Sequence, residues 1–154
     1  MTVSSRTESA QTRELCRELE ALGAITHAQV ANQFSSPGWP DRYIIHPLWH
    51  GHLEFKAYNG SVTPLQAKVI RDLNARVPGS AYVVRHALVK GHGQIELIDD
   101  GLTRDILAKF ENAAGLLLAL YFITRTDARY EPTHLIEALR RKGAKWQIMQ
   151  RGTR

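Results

Sequence analysis

An α/β fold, a mixed β-sheet flanked by helices, is what this sequence predicts, and three observations predict it. An amphipathic helix spans Glu8 to Leu22, and two stretches of strand character joined by a short connection follow it. A well-capped helix then begins at Thr63. After it, the apolar run Ala81-Tyr82-Val83-Val84-Arg85 returns the chain to the sheet. Helix, hairpin, helix, strand is the order of a sheet with helices covering its faces.

Each element has its own signal. In the first helix Leu15, Leu19 and Leu22 recur at i, i+4 and i+7, and Gly23 is placed to cap the C-terminus. Cys16 beside them reads as a small buried hydrophobe. Ser35-Ser36-Pro37-Gly38-Trp39-Pro40 is dense in turn formers and predicts irregular chain. The first strand covers Asp41 to His46. The second, His52 to Tyr58, alternates Leu53, Phe55 and Ala57 with His52, Glu54, Lys56 and Tyr58. Pro47 to Gly51 is the expected connection. Asn59-Gly60 marks a turn, and Thr63, Pro64 and Gln66 form a capping box with proline at the first helical position. Leu65, Val69, Ile70, Leu73 and Val77 make that helix's apolar face before Pro78-Gly79 ends it. A further strand is expected over Gln94 to Ile98. Beyond it the chain reads as mostly helical, over Arg104 to Ile123 and Pro132 to Lys142, with a short strand at Trp146 to Met149.

Composition narrows the class. The 154 residues suit one domain, and 44% hydrophobic with 23% charged residues is a globular mixture. The longest apolar stretch, Leu116 to Ile123, is far short of the ~20 residues that cross a bilayer. One cysteine excludes an internal disulfide framework and a cysteine-rich zinc site. No secretory leader pattern opens the chain, so a cytoplasmic location is expected. The net charge is +5, and all 15 acidic residues precede position 140. Arg140, Arg141, Lys142, Lys145, Arg151 and Arg154 follow with no acid among them. Such a segment can neutralise nucleic-acid phosphates, or be no more than a solvated helix end favoured by the macrodipole.

The first hairpin gathers chemistry. With its bend centred between Leu48 and Trp49, Asp41 lies opposite Lys56 and Tyr43 opposite Glu54. Asp41, Glu54 and Lys56 then share one face while Leu53, Phe55 and Ala57 enter the core. Two convergent carboxylates suit a hard dication such as Mg²⁺, which takes one or two carboxylates and completes its shell with water and phosphate oxygens. A lysine alongside can orient or deprotonate a water and neutralise charge developing on phosphorus. A structural salt bridge between Lys56 and a carboxylate is the other reading of the same residues.

The wider string Gly38-Trp39-Pro40-Asp41-Arg42, Leu53-Glu54-Phe55-Lys56, Thr63-Pro64-Leu65-Gln66 and Tyr82-Val83-Val84-Arg85 resembles the VRR-NUC family of the PD-(D/E)XK, restriction-endonuclease-like nucleases. The similarity covers about Glu8 to Arg85. It implies a nuclease core, here over residues 1–100; residues 101–154 match none of the family's motifs and read from their own pattern as a mostly helical extension ending in the basic tail. It also implies that Asp41 and Glu54 ligate Mg²⁺ or Mn²⁺ with the Phe55 carbonyl, and that Lys56 is the catalytic lysine. A further acid from the first helix is implied, Glu8 by position with Glu14 as the fallback. Gln66 matches a glutamine near the family's site, although its capping role explains it equally. The activity implied is DNA endonuclease cleavage leaving 5′-phosphates, in replication, recombination or repair, in a bacterial or phage-infected cell. Branched DNA such as Holliday junctions is the implied substrate, with phosphate contacts expected from Arg42, Arg140, Arg141, Lys142 and Lys145. A catalytically silent DNA-binding protein on the same fold is the alternative.

Other residues compete for roles. His46, His50 and His52 cluster around the hairpin, but three histidines in one connection rarely close a zinc site unaided. Tyr58 and Trp49 are candidates for base stacking, with packing roles expected first. Ile106, Phe110, Ala113, Leu117 and Tyr121 form one stripe of a helix that is apolar almost all round, which predicts burial on several sides. A homodimer interface on that helix is the expectation, with packing on the core as the other outcome.

Overall fold

A computed structural model describes residues 3–29, 37–99, 103–125 and 131–149. Ser35 and Ser36 of the irregular stretch and Arg151 and Arg154 of the basic tail lie outside them. The elements run α1 (Val3–Ala21), β1 (Ile25–Ala28), β2 (Arg42–His46), β3 (Trp49–Lys56), α2 (Pro64–Arg76), β4 (Ala81–His86), β5 (Gly93–Asp99), β6 (Thr103–Phe110), α3 (Ala113–Thr124), α4 (Thr133–Arg141) and β7 (Trp146–Ile148). The seven strands stand in the sheet in chain order. All neighbours are antiparallel except β3 and β4, which α2 joins as a crossover.

Strand alternation divides the core in two. Leu53, Phe55, Tyr82, Val84 and Ile95 face α1 and α3, whereas Ala81, Val83 and Ile98 face Ala67 and Ile70 of α2. The first helix buries Leu15, Cys16 and Leu19 as its spacing predicts. Its end turns through Gly23 at φ 95°, and the Ala24 N–H donates to the Leu19 carbonyl at 3.0 Å. The capping box of α2 forms as the sequence predicts, Gln66 N–H to Thr63 Oγ1 at 3.1 Å and Thr63 N–H to Gln66 Oε1 at 3.0 Å.

Three expectations are corrected. The hairpin turn is Pro47-Leu48 alone, because His46 pairs with Trp49 and Arg42 with Leu53. Carried one step further, that register sets Asp41 across from Glu54, not Lys56. The shift is an even number of residues, so every side chain keeps its expected face. Trp49 enters the strand because its ring is buried and its Nε1–H donates to the Gly79 carbonyl at 3.0 Å.

The second correction is β6. The segment from Arg104 to Phe110 is strand, not helix. Ile95 pairs with Ala108 and Glu96 with Ile106, so Leu107 is one residue too many and the ladder bulges there. Leu107 and Ala108 are both buried while Ile106 and Lys109 are exposed, a spacing that imitates a helical face. The described residues beyond position 100 are therefore not a separate helical extension: beside α3 and α4 they add two strands to the same sheet. The third is β1, which carries mostly exposed residues and no apolar alternation to announce it.

Helix α3 is buried from Ala113 to Tyr121. It packs on β3, β6, β7, α1 and α4 of the same chain. The apolar surface that suggested a dimer is thus covered internally. No helix among the described residues is long and apolar enough to cross a membrane.

Candidate active site

The C-terminal end of β3 is where the expected residues meet. Asp41 precedes β2, and its N–H donates to Glu54 Oε2 at 3.0 Å. Its own carboxylate accepts the Phe55 N–H at Oδ1, 3.1 Å away. These two reciprocal bonds lock the start of β2 onto the middle of β3 and bring the carboxyls together. Lys56 Nζ stands 3.4 Å from Glu54 Oε1. Gln66 reaches down from α2, and its Nε2 donates to the same Oε1 at 2.8 Å. The glutamine therefore caps its helix with Oε1 while its Nε2 orients Glu54.

Glu8 comes from the opposite side of the sheet. Its Oε2 accepts the N–H of Ala57, the residue after β3, at 3.0 Å. Glu14 instead pairs with Lys90 on the surface, so of the two acids it is Glu8 that reaches the end of β3. Phe55 gives its ring to the core, stacked on His86 with centroids 5.4 Å apart, and presents only backbone to the site. Arg42 shares with Glu8, Asp41, Thr12 and Arg13 a cleft of about 370 Å³ that forms a mouth of the site. Arg140, Arg141 and Lys142 sit exposed at the end of α4, and Arg140 pairs with Glu137 at 3.3 Å. Lys145 lines a separate groove.

Electrostatics make the carboxyl pair unusual. Burial pushes the Glu54 carboxyl up to about 8, helped by a side-chain hydrogen bond with Asp41 and by that neighbour's negative charge, with Lys56 and the Asp41 backbone N–H opposing. The pair is short of positive charge, and hard oxygen donors of this kind fit Mg²⁺ or Mn²⁺. Among the described residues no group of three His, Cys, Asp or Glu side chains stands ready to hold a metal. Magnesium asks for only one or two carboxylates, the rest of its shell being water and substrate oxygens.

The histidines do not converge. Strand parity puts His46 on the sheet face opposite to His50 and His52. His46 accepts the Leu48 N–H at Nδ1, leaving Nε2 to donate to the Leu22 carbonyl at 3.1 Å. His52 lies edge-on to Trp39 and Tyr43.

Sequence reasoning missed a supporting layer. Arg85 and Glu96, both buried, pair through Nε–Oε1 at 2.9 Å and Nη2–Oε2 at 3.2 Å. Arg85 Nη1 also donates to the carbonyls of Ala57, at 3.1 Å, and Gly60. The turn that follows Lys56 is therefore pinned to β4 and β5. An arginine within an otherwise apolar strand was the available signal. His86 was missed too; burial lowers it to about 4, and it meets the Thr12 hydroxyl at 2.9 Å as a neutral ring. Compared with known proteins, the chain matches no family model and no curated protein.

Proposed function

We propose that this chain is a Mg²⁺- or Mn²⁺-dependent DNA endonuclease of restriction-endonuclease-like fold, similar to the VRR-NUC nucleases and acting on branched DNA. The observation that carries the reading is the Asp41–Glu54 carboxyl pair with Lys56 Nζ 3.4 Å from Glu54. Asp41 and Glu54 would hold the cation, with Glu8 and the Phe55 backbone alongside. When bound, it would supply positive charge to phosphoryl oxygens and make a bound water more acidic than bulk water.

The chain's own residues do the rest. Lys56 orients the attacking water and offsets charge on the pentavalent phosphorus. Gln66 fixes the Glu54 carboxyl plane, leaving it little freedom to turn from the site. Arg13 and Arg42, at the cleft shared with Asp41, suit contacts to flanking phosphates.

The test is cleavage of junction, flap, duplex and single-stranded DNA with either metal. Cutting is expected, reduced at least about a hundredfold by Asp41→Ala or Lys56→Ala, in line with the loss of a residue that stabilises transition-state charge. Cutting that survives both substitutions contradicts the reading. DNA binding with neither cleavage nor metal uptake would identify a catalytically silent binding protein instead.

A further inference from the structure

Successive register pairs set one row of side chains across the sheet. Lys56 stands beside Arg85, Arg85 beside Gln94, Gln94 beside Lys109, and Lys109 beside Gln147. Paired residues share a face, so the row begins at the candidate catalytic lysine and crosses to the edge strand β7 on the Glu54 side. It contains no acid. Four strand spacings make it about 19 Å long, the length of roughly five nucleotides stacked at ~3.4 Å along one strand. Helix α2 leaves this end of the strands open, since its buried contacts are with Ala81, Val83 and Ile98 at the other end.

Beside the row, at the ends of the strands, lies a groove of about 780 Å³ lined among others by Tyr58, Arg85, Gln94, Lys109, Lys145 and Gln147. Trp146 closes it from the other sheet face, its ring stacked on Phe122 of α3 with centroids 5.2 Å apart. Lys109 and Lys145 are exposed, and Tyr58, two residues past Lys56, is 51% exposed. Arg85 is already committed to Glu96, which leaves Glu111 as the lining carboxylate facing two free lysines. Leu88, 70% exposed, stands at the rim. A cube of that volume is about 9 Å on a side, narrower than the ~12 Å major groove of a duplex alone. Exposed lysines beside an exposed aromatic ring in a narrow channel suit a single strand: phosphates on the ammonium groups, a base on the ring.

We infer that this groove binds an unpaired DNA strand, its phosphates on Lys109 and Lys145 and a base against Tyr58, and leads it to Lys56. The direction of the strand rests on the nuclease reading; the binding surface does not. The test is fluorescence anisotropy of a labelled oligothymidylate in EDTA, with a blunt duplex as competitor. For the Lys109→Ala/Lys145→Ala variant, affinity is expected to fall at least tenfold. Its log–log salt slope is expected to shrink by about 1.4, since each single-strand phosphate contact is worth ~0.7. Tyr58→Ala is expected to weaken binding about fivefold or more through lost stacking. All three positions are exposed, and an unchanged circular dichroism spectrum confirms folding. Unaltered affinity and slope in the lysine variant, or equal competition by duplex, overturns the inference. Groove-dependent binding without any cleavage would sink the nuclease reading and keep the surface. Cleavage dependent on Asp41 but indifferent to the groove variants would do the reverse.

Discussion

Glu54 concentrates the chemistry of the site because three different forces act on one carboxyl. Burial and Asp41 favour its proton, Lys56 opposes them, and Gln66 holds the group still. Its value in the folded chain lies above the ordinary 4.5, so the native state binds protons that the unfolded chain has released. Stability from this group is complete below about pH 4.5 and is lost as pH rises through about 8. His86, His46 and His52 are shifted down by burial, so their contribution is lost on the acid side, below their usual 6.5. Above pH 6.5 only Glu54 among these groups is left to titrate. Metal-free protein is therefore expected to lose stability between pH 6.5 and 8, on the order of 1 kcal/mol per pH unit. Glu54→Gln should flatten that limb. Thermal melts of both proteins in EDTA at several pH values check it, and parallel curves would refute it.

Elements were legible in the sequence wherever one period held long enough. The α2 capping box, the Leu15-Leu19 face of α1 and the alternation from His52 to Lys56 formed as read, although β3 ends at Lys56 and leaves Ala57 and Tyr58 beyond it. Period failed at β6, where the bulge at Leu107 put two consecutive residues inward and the strand counterfeited a helix. The hairpin register slipped because Pro47-Leu48 closes a tighter turn than the run Pro47 to Gly51 suggested. Parity survived that slip, and parity is what carries Asp41, Glu54 and Lys56 to one face. An arginine within apolar β4 hints at a buried partner, but local pattern does not name the acid, so the bond of Arg85 to Glu96 was only half legible. Glu96→Ala strands the Arg85 guanidinium without its partner, and about 3–5 kcal/mol of stability is expected to go with it. The turn after Lys56 loosens with it. Denaturant unfolding measures the loss; a cost under about 1 kcal/mol would show that the pair does not anchor that turn.

On the scale of the whole molecule, one continuous sheet serves two ends. Helix α3, wholly apolar, fills the face under β3, β6 and β7, and the other face is left to α2 and the polar row. The terminal segment that looked like an appendage builds half of the groove, with Lys109 on β6 and Lys145 before β7. Basic charge placed late in the chain thus ends beside residues from its middle, among them Tyr58, Arg85 and Gln94. Sequence spacing made the carboxyl pair visible, but not the cleft that Arg13 and Arg42 share with Glu8. The central claim is that Asp41 and Glu54 form a cation site, and calorimetric titration of Mn²⁺ into the metal-free protein tests it most directly. Because the cation must displace the Glu54 proton, binding is expected to be at least about tenfold tighter at pH 8.5 than at pH 6, with proton release, and to vanish in Asp41→Asn. No uptake at either pH, or uptake that Asp41→Asn leaves intact, would contradict the account.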